Sequence, residues 1–380
     1  MLNKFYLSVL CFGFYCFISK TLSASFDPLL RVQLLEQLKG GSSGIELSQI
    51  YQQALLRRFS QLTEAGSLLK DNPCILFAVG SVGRVEAVYG SDLEAGLFCK
   101  KLLEPQEIVE VAAALNRDAP DLIWDSEFTL IDNVYSPDSM SADVRKMFPS
   151  KLLKLMDASP IAYLNCSPES FSFASFRDVV WGHIRKQENF EYIAKTAELQ
   201  FEGDFWELRN TVDEVVRDHI TGAPLDSEEV LNLDHKSLRD LLFLGISENY
   251  QTETPIIYSF DLKHSIYRPI TLFIAMSYLN LCRLGEIQCG PEYWKTNTNE
   301  RLHEILSNRA DYFDLDLTRV MNVFLSLRMG TKILSDTNVI GKLDYKDHYF
   351  FESVPEVDVF DMFIVLIQLQ KQSLLPKKAS

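Results

Sequence analysis

Two acids one residue apart, Asp92 and Glu94, follow a glycine-rich stretch, Gly80-Ser81-Val82-Gly83-Arg84-Val85-Glu86. That stretch in turn follows the apolar run Cys74-Ile75-Leu76-Phe77-Ala78-Val79. Alternate residues of a strand face one side, so Asp92 and Glu94 project together. Two carboxylates on one face repel unless a cation sits between them, and oxygen donors of this kind suit Mg²⁺ or Mn²⁺. Gly80 and Gly83 let backbone amides approach a phosphate, Ser81 adds a hydroxyl, and Arg84 can add charge-assisted hydrogen bonds. The chemistry these parts describe is metal-assisted phosphoryl transfer. An acid pair by itself would suit a solvated edge strand better. Its place after an apolar strand and a glycine turn reverses that preference.

The elements that must hold these residues can be read from periodicity. Cys74 to Val79 reads as a buried strand, the glycines from 80 to 83 as a tight turn, and 91–98 as a second strand. Upstream, Leu29, Leu30, Val32, Leu34, Leu35 and Leu38 and then Ile45, Leu47, Ile50, Leu55, Leu56, Phe59 and Leu62 recur at helical intervals, with a break at Gly40-Gly41-Ser42-Ser43-Gly44. Downstream, 105–116 reads as a helix, while 122–130 and 153–164 each suit a further strand or helix. Beyond residue 170 long amphipathic helices dominate, with turns near 221–224, 288–291 and Gly341. The apolar stripe Val357, Phe360, Phe363, Ile364, Leu366 and Ile367 predicts a core helix, and Glu352, Glu356, Asp358 and Asp361 a solvated face.

Charge and cysteine content narrow the classes. The 380 residues carry 37 Lys and Arg against 52 Asp and Glu, a net charge of −15, which excludes bulk coating of nucleic acid. The seven cysteines lack CxxC spacing and the six histidines are scattered, so a structural zinc site is not expected. A core of this size does not need a disulfide framework, and Cys74 and Cys99 read as small apolar packing residues. Lys4, an apolar run over 5–18 and small residues at 23–25 fit a secretory signal segment, too short to span a bilayer comfortably. Export is therefore expected. The alternatives are a short anchor, or a cytoplasmic protein whose translation starts further on.

The glycine turn and acid pair resemble the active-site signature of the DNA polymerase beta nucleotidyltransferase superfamily, in which Gly-Ser precedes an Asp-x-Asp or Asp-x-Glu strand. The resemblance is closer to the nucleotidyltransferases related to the bacterial uridylyltransferase of nitrogen signalling. Their Gly-Ser-x-Gly-Arg-x-Glu and Ser/Thr-Asp-x-Asp pattern is matched at Gly80, Ser81, Gly83, Arg84, Glu86 and Asp92, with Glu94 in place of the second Asp. Leu155-Met156-Asp157-Ala158-Ser159 falls where that family has an acid-x-Arg segment ending near Gly-Asp. Phe260-Asp261-Leu262-Lys263 to Arg268-Pro269, Asn297-Thr298-Asn299-Glu300-Arg301-Leu302 and Leu327-Arg328 resemble its helical-domain signatures. Ser159 stands for the family Arg, and Asn165 stands near its Gly.

The resemblance implies transfer of a nucleoside monophosphate from a nucleoside triphosphate to a protein or small-molecule hydroxyl. Asp92 and Glu94 would hold Mg²⁺ or Mn²⁺, and Gly80, Ser81, Gly83 and Arg84 the phosphates. A third carboxylate is expected, with Asp157 first, Asp125 second and Glu127 third. Lys263 and Arg268 either face nucleotide or acceptor from the helical domain, or form a surface pair at a helix start. Arg301 reads as structural, in a first helical turn with Thr298 as N-cap. Tyr267, Tyr293 and Trp294 suit core packing better than base stacking, and His183 and His264 read as structural. The expected fold is a small α/β (α+β) nucleotidyltransferase core with a mixed sheet over 71–170. It follows a signal-like segment over 1–25 and an N-terminal helical arm over 26–70, and precedes an all-α helical substrate domain over 171–380. The rival class is a catalytically weakened relative that binds nucleotide or a partner protein. Apart from the N-terminal segment, no transmembrane span is expected.

Overall fold

Leu30, Leu34 and Leu38 recur every four residues along α1 (Pro28–Lys39), and Leu47, Tyr51, Leu55 and Phe59 do the same along α2 (Gly44–Phe59), so each helix buries one stripe. The computed structural model describes residues 28–216, 260, 261, 263, 267–310, 312, 313, 316–335, 339 and 340. The signal-like segment, the turns at 221–224 and Gly341, and the apolar and acidic runs after 350 lie outside them. The break between α1 and α2 falls where the glycines and serines predicted it. Ser43 caps α2 by accepting from the Glu46 amide, and the Glu46 carboxylate accepts from the Ser43 amide. A short α3 (Thr63–Leu68) completes the N-terminal helices.

The sheet order is β3-β2-β1-β4, with β1 (Cys74–Ala78) antiparallel to both β2 (Ala95–Cys99) and β4 (Ser159–Leu164), and β3 (Val134–Tyr135) parallel to β2. Every residue of β1 and β2 is buried, which explains why β1 reads as a continuous apolar run rather than an alternating one. One helical turn, α4 (Gly80–Gly83), replaces the simple turn expected after β1. After β2 come α5 (Pro105–Asp118), α6 (Pro137–Asp143), a 3₁₀ turn (Val144–Lys146) and α7 (Pro149–Leu155). The 153–164 stretch is thus the end of α7 followed by β4. Over 122–130 no regular strand forms; a single parallel bridge joins Leu93 to Trp124. The second strand is regular only from Ala95, later than the predicted start at 91.

Helices α8 (Ala174–Ile184), α9 (Gln187–Val216), α10 (Arg268–Leu284), α11 (Thr298–Asn308) and α12 (Leu317–Ser335) follow, with a two-stranded ribbon of β5 (Phe260–Asp261) and β6 (Val339–Ile340). The fold is mixed α/β with flanking helices, as expected. The N-terminal helices pack on α12. A Cβ at Gly44 would lie 2.3 Å from the Ser326 amide nitrogen, so only glycine permits this backbone approach. Asn322 Oδ1 accepts from the Ile45 amide at 3.2 Å, and the Arg31 guanidinium donates to the Ile333 carbonyl. Among the described residues, no helix is long and apolar enough to cross a membrane.

The cysteines depart from expectation. Cys74 and Cys99, opposite each other in the β1–β2 register, form a disulfide, and Cys282 bonds Cys289. Cys74 and Cys99 carry no spacing cue, because their pairing follows from strand register. Closing a loop across 25 residues constrains the unfolded chain by about 3 kcal/mol. Cys166 stays a thiol, donates to the Cys74 carbonyl at 3.4 Å, and is pushed up in pKa by burial. Alkylation of the denatured, unreduced chain followed by peptide mapping is expected to label Cys166 and to spare Cys74, Cys99, Cys282 and Cys289 until reductant is added. Label on Cys74 before reduction would contradict the pairing.

Candidate active site around Asp92 and Glu94

Strand β1 delivers the chain directly into α4, and the Val79 amide donates to the Glu94 carbonyl at 2.9 Å. This bond sets the glycine turn beside the acid pair. Gly80 has φ +61°, and a Cβ there would lie 2.0 Å from Glu94 Oε2, so glycine is required both by conformation and by the carboxylate packed on it. Gly83 is equally tight: a Cβ would lie 2.4 Å from the Asp157 carbonyl oxygen. Gln52 on α2 braces the turn by donating to the Val82 carbonyl at 3.1 Å. Asp92 and Glu94 are half-buried while Leu93 between them is buried, the burial alternation of an extended segment.

Each carboxylate meets a lysine. Lys263 Nζ lies 3.2 and 3.3 Å from the two Asp92 oxygens, and Lys154 Nζ on α7 lies 2.5 Å from Glu94 Oε1. Burial opposes ionisation of Asp92, but the Lys263 charge and hydrogen bond outweigh it and hold the carboxyl below its usual range, with Asp125 beside it. Asp125 reaches Asp92 because the Leu93–Trp124 bridge runs the two segments side by side. The Leu93 amide donates to the Ile123 carbonyl at 2.7 Å, and the Asp125 amide to the Leu93 carbonyl at 3.0 Å. Asp125 Oδ1 in turn accepts from the Glu127 and Phe128 amides at 2.8 and 2.5 Å, which fixes its orientation. Glu127 itself is exposed.

Asp157 and Arg84 lie in a different arrangement. Asp157 accepts from Arg84 Nη1 through one oxygen and from Arg301 Nη1 at 2.8 Å through the other. Arg84 also donates through Nε to Glu86 at 3.1 Å and through Nη2 to the Tyr267 hydroxyl at 3.0 Å. Tyr267 donates to Glu86 Oε2 at 2.5 Å, and Glu86 Oε1 accepts from the Thr298 amide at 2.6 Å. Arg301, fully buried, donates further to the Met156 and Lys295 carbonyls at 3.0 and 2.8 Å. Burial disfavours the Arg84 cation, yet the Tyr267 oxygen, Asp157 and Glu86 outweigh it and keep it charged. Val85, between the two charged members of the motif, has φ +62°, costly for a β-branched residue and imposed by its anchored neighbours.

The Gly-Arg-x-Glu half of the motif therefore clamps the sheet to α10 and α11, while the Gly-Ser and Asp-x-Glu parts line the open face. Arg301 has the structural role expected of it, although the N-cap of α11 is Asn297, one residue before Thr298. Tyr267 stacks on Phe324 at 5.2 Å, and Trp294 donates to the Met156 carbonyl at 2.8 Å, so both pack as expected. Tyr293 is about half exposed, and His183 lies in the last turn of α8. Arg268 opens α10, and Ser81 is half-buried in the α4 turn. Ser159, in place of the expected Arg, opens β4 with its hydroxyl 3.0 Å from that of Thr296. Asn165 has φ +61°, a conformation that Gly takes freely and Asn more easily than most, which accounts for Asn near an expected Gly.

Sequence reasoning missed Lys154 and the clamp role of Glu86. Lys154 carries no periodic or motif signal; Glu86, in the motif, could be assigned a role only once its partners were known. As a test of metal fit, the donor set consists of hard, partly exposed oxygens on one face. Among the described residues no group of three or more His, Cys, Asp and Glu could cage a metal alone. A pair of carboxylates that leaves room for substrate phosphates suits Mg²⁺, which seldom uses an all-protein cage.

A family model described as "Putative nucleotidyltransferase DUF294" matches residues 32–120, from α1 through α5. The matched stretch contains the glycine turn, Asp92 and Glu94, and stops short of Asp125, Lys154 and Asp157. It supports a nucleotidyl-transfer role in general terms, in which a nucleoside triphosphate is the donor. No curated protein matches the chain.

Proposed function

We propose that the chain transfers a nucleoside monophosphate from a nucleoside triphosphate to a hydroxyl on a protein or small molecule, with Asp92 and Glu94 holding Mg²⁺ or Mn²⁺. The observation that carries this reading is the half-buried pair Asp92 and Glu94, with Glu94 packed on the Gly80–Gly83 turn and Asp125 beside Asp92. A divalent cation there would neutralise phosphate charge and polarise the phosphorus centre. Ser81 and the first amides of α4, which lack partners within the helical turn, orient the phosphates. Asp125 takes the proton from the acceptor hydroxyl as its oxygen forms a bond to the α-phosphorus. The α–β phosphoanhydride bond breaks and pyrophosphate leaves. Asp125 is preferred to Asp157 for this role because both Asp157 oxygens are engaged by arginines.

Export through the N-terminal segment belongs to the same proposal. Two disulfides support an oxidising compartment. Such compartments hold little ATP, so an exported transferase would act on substrates inside another cell.

The test incubates the purified full chain with Mg²⁺ or Mn²⁺, each α-³²P-labelled nucleoside triphosphate and cell lysates as acceptors. Label should appear on a protein or small molecule and vanish with Asp92→Asn/Glu94→Gln. A binding module without chemistry is the second reading, favoured by Ser159 in place of the family Arg. Metal-dependent nucleotide binding with no transfer under any condition would select it.

A further inference from the structure

We propose that Lys154 is a resident counter-ion that holds Glu94 until a divalent cation takes its place, after which its ammonium serves the triphosphate. This rests on Asp92 and Glu94 forming the metal pair. Glu94 Oε1 is held by Lys154 Nζ at 2.5 Å, while Oε2 packs against Gly80. Asp92 is likewise held by Lys263. Two lysines thus balance the two carboxylates that would otherwise repel on one face.

The two partners of the Glu94 ion pair are unequally held. The Lys154 side chain is 38% exposed and the Glu94 side chain 19%, so the lysine is the partner free to leave. Its departure need not carry the charge away. Lys154 Nζ also lies 5.5 Å from the centroid of the Phe128 ring, a favourable seat for an ammonium. That ring is anchored because the Phe128 amide donates to Asp125. The cation released by Glu94 therefore stays beside the acid pair, where phosphate oxygens of a metal-bound triphosphate would lie. Lys154 comes from α7 and Lys263 from a segment far along the chain, so one can be changed without touching the other.

Mn²⁺ binding to the full chain, read from the electron paramagnetic resonance signal of free Mn²⁺, tests the idea without turnover. Removing a competing, partly exposed ion pair in Lys154→Met should tighten Mn²⁺ binding by about two- to fivefold, with Lys154→Arg near wild type. Mg²⁺–tripolyphosphate, a probe independent of the base, should bind Lys154→Met more weakly than wild type or Lys154→Arg. A misfolded variant would lose both affinities, so tighter metal with weaker polyphosphate cannot arise from damage alone. Unchanged or weaker Mn²⁺ binding in Lys154→Met, when wild type binds and Asp92→Asn/Glu94→Gln does not, overturns the role of Lys154 alone. No Mn²⁺ binding that depends on the two acids overturns the metal pair, and this inference with it.

Discussion

Asp157→Ala is expected to destabilise the chain by about 3–5 kcal/mol, measured as the shift in urea unfolding at neutral pH. The Asp157 carboxylate is the shared partner of Arg84 and Arg301, and the Arg301 side chain is fully buried. Its removal takes that counter-charge from the buried Arg301, where water cannot replace it, while Arg84 keeps its ion pair with Glu86. Arg301 keeps its bonds to the Met156 and Lys295 carbonyls, so the damage is a loosened joint between the sheet and α11 rather than full collapse. Asp157→Asn, which retains hydrogen-bonding oxygen but not charge, should fall between wild type and alanine. If Asp157→Ala instead left the unfolding midpoint unchanged and abolished Mn²⁺ binding, Asp157 would be the metal ligand suggested by its place in the sequence.

Asp125→Asn is expected to do the opposite: to lower nucleotidyl transfer by about 10²- to 10⁴-fold, the usual worth of a positioned general base, with an unfolding midpoint near wild type. Asparagine keeps an oxygen to accept from the Glu127 and Phe128 amides, so the loop geometry survives. What it loses is the capacity to take a proton beside Asp92. Single-turnover transfer with a saturating acceptor separates the two residues cleanly. An Asp125→Asn protein that transfers at the wild-type rate would remove Asp125 from the chemistry.

The contrast between these two aspartates shows where the sequence stops being informative. Short-range patterns are legible because they depend on neighbours a few residues apart. The capped start of α2, the all-apolar β1 and β2, the glycine turn and the shared face of Asp92 and Glu94 all follow from local spacing and covalent geometry. The requirement for glycine at 80 was visible as a turn residue, although its contact with Glu94 was not.

What the tertiary structure alone decided are the long-range pairings. Asp125 reaches Asp92 through a parallel bridge whose partners are 31 positions apart, from Leu93 to Trp124. Lys154 finds Glu94 across 60 positions, and Arg301 finds Asp157 across 144. Cys74 meets Cys99 because the strand register sets them opposite each other. None of these pairs shares a periodicity that could announce it. The sequence by itself determined which residues could carry phosphate and metal chemistry. Their division into an open acid face and a buried ionic clamp was decided by packing, because a charge goes into the interior only where another element supplies its counter-charge.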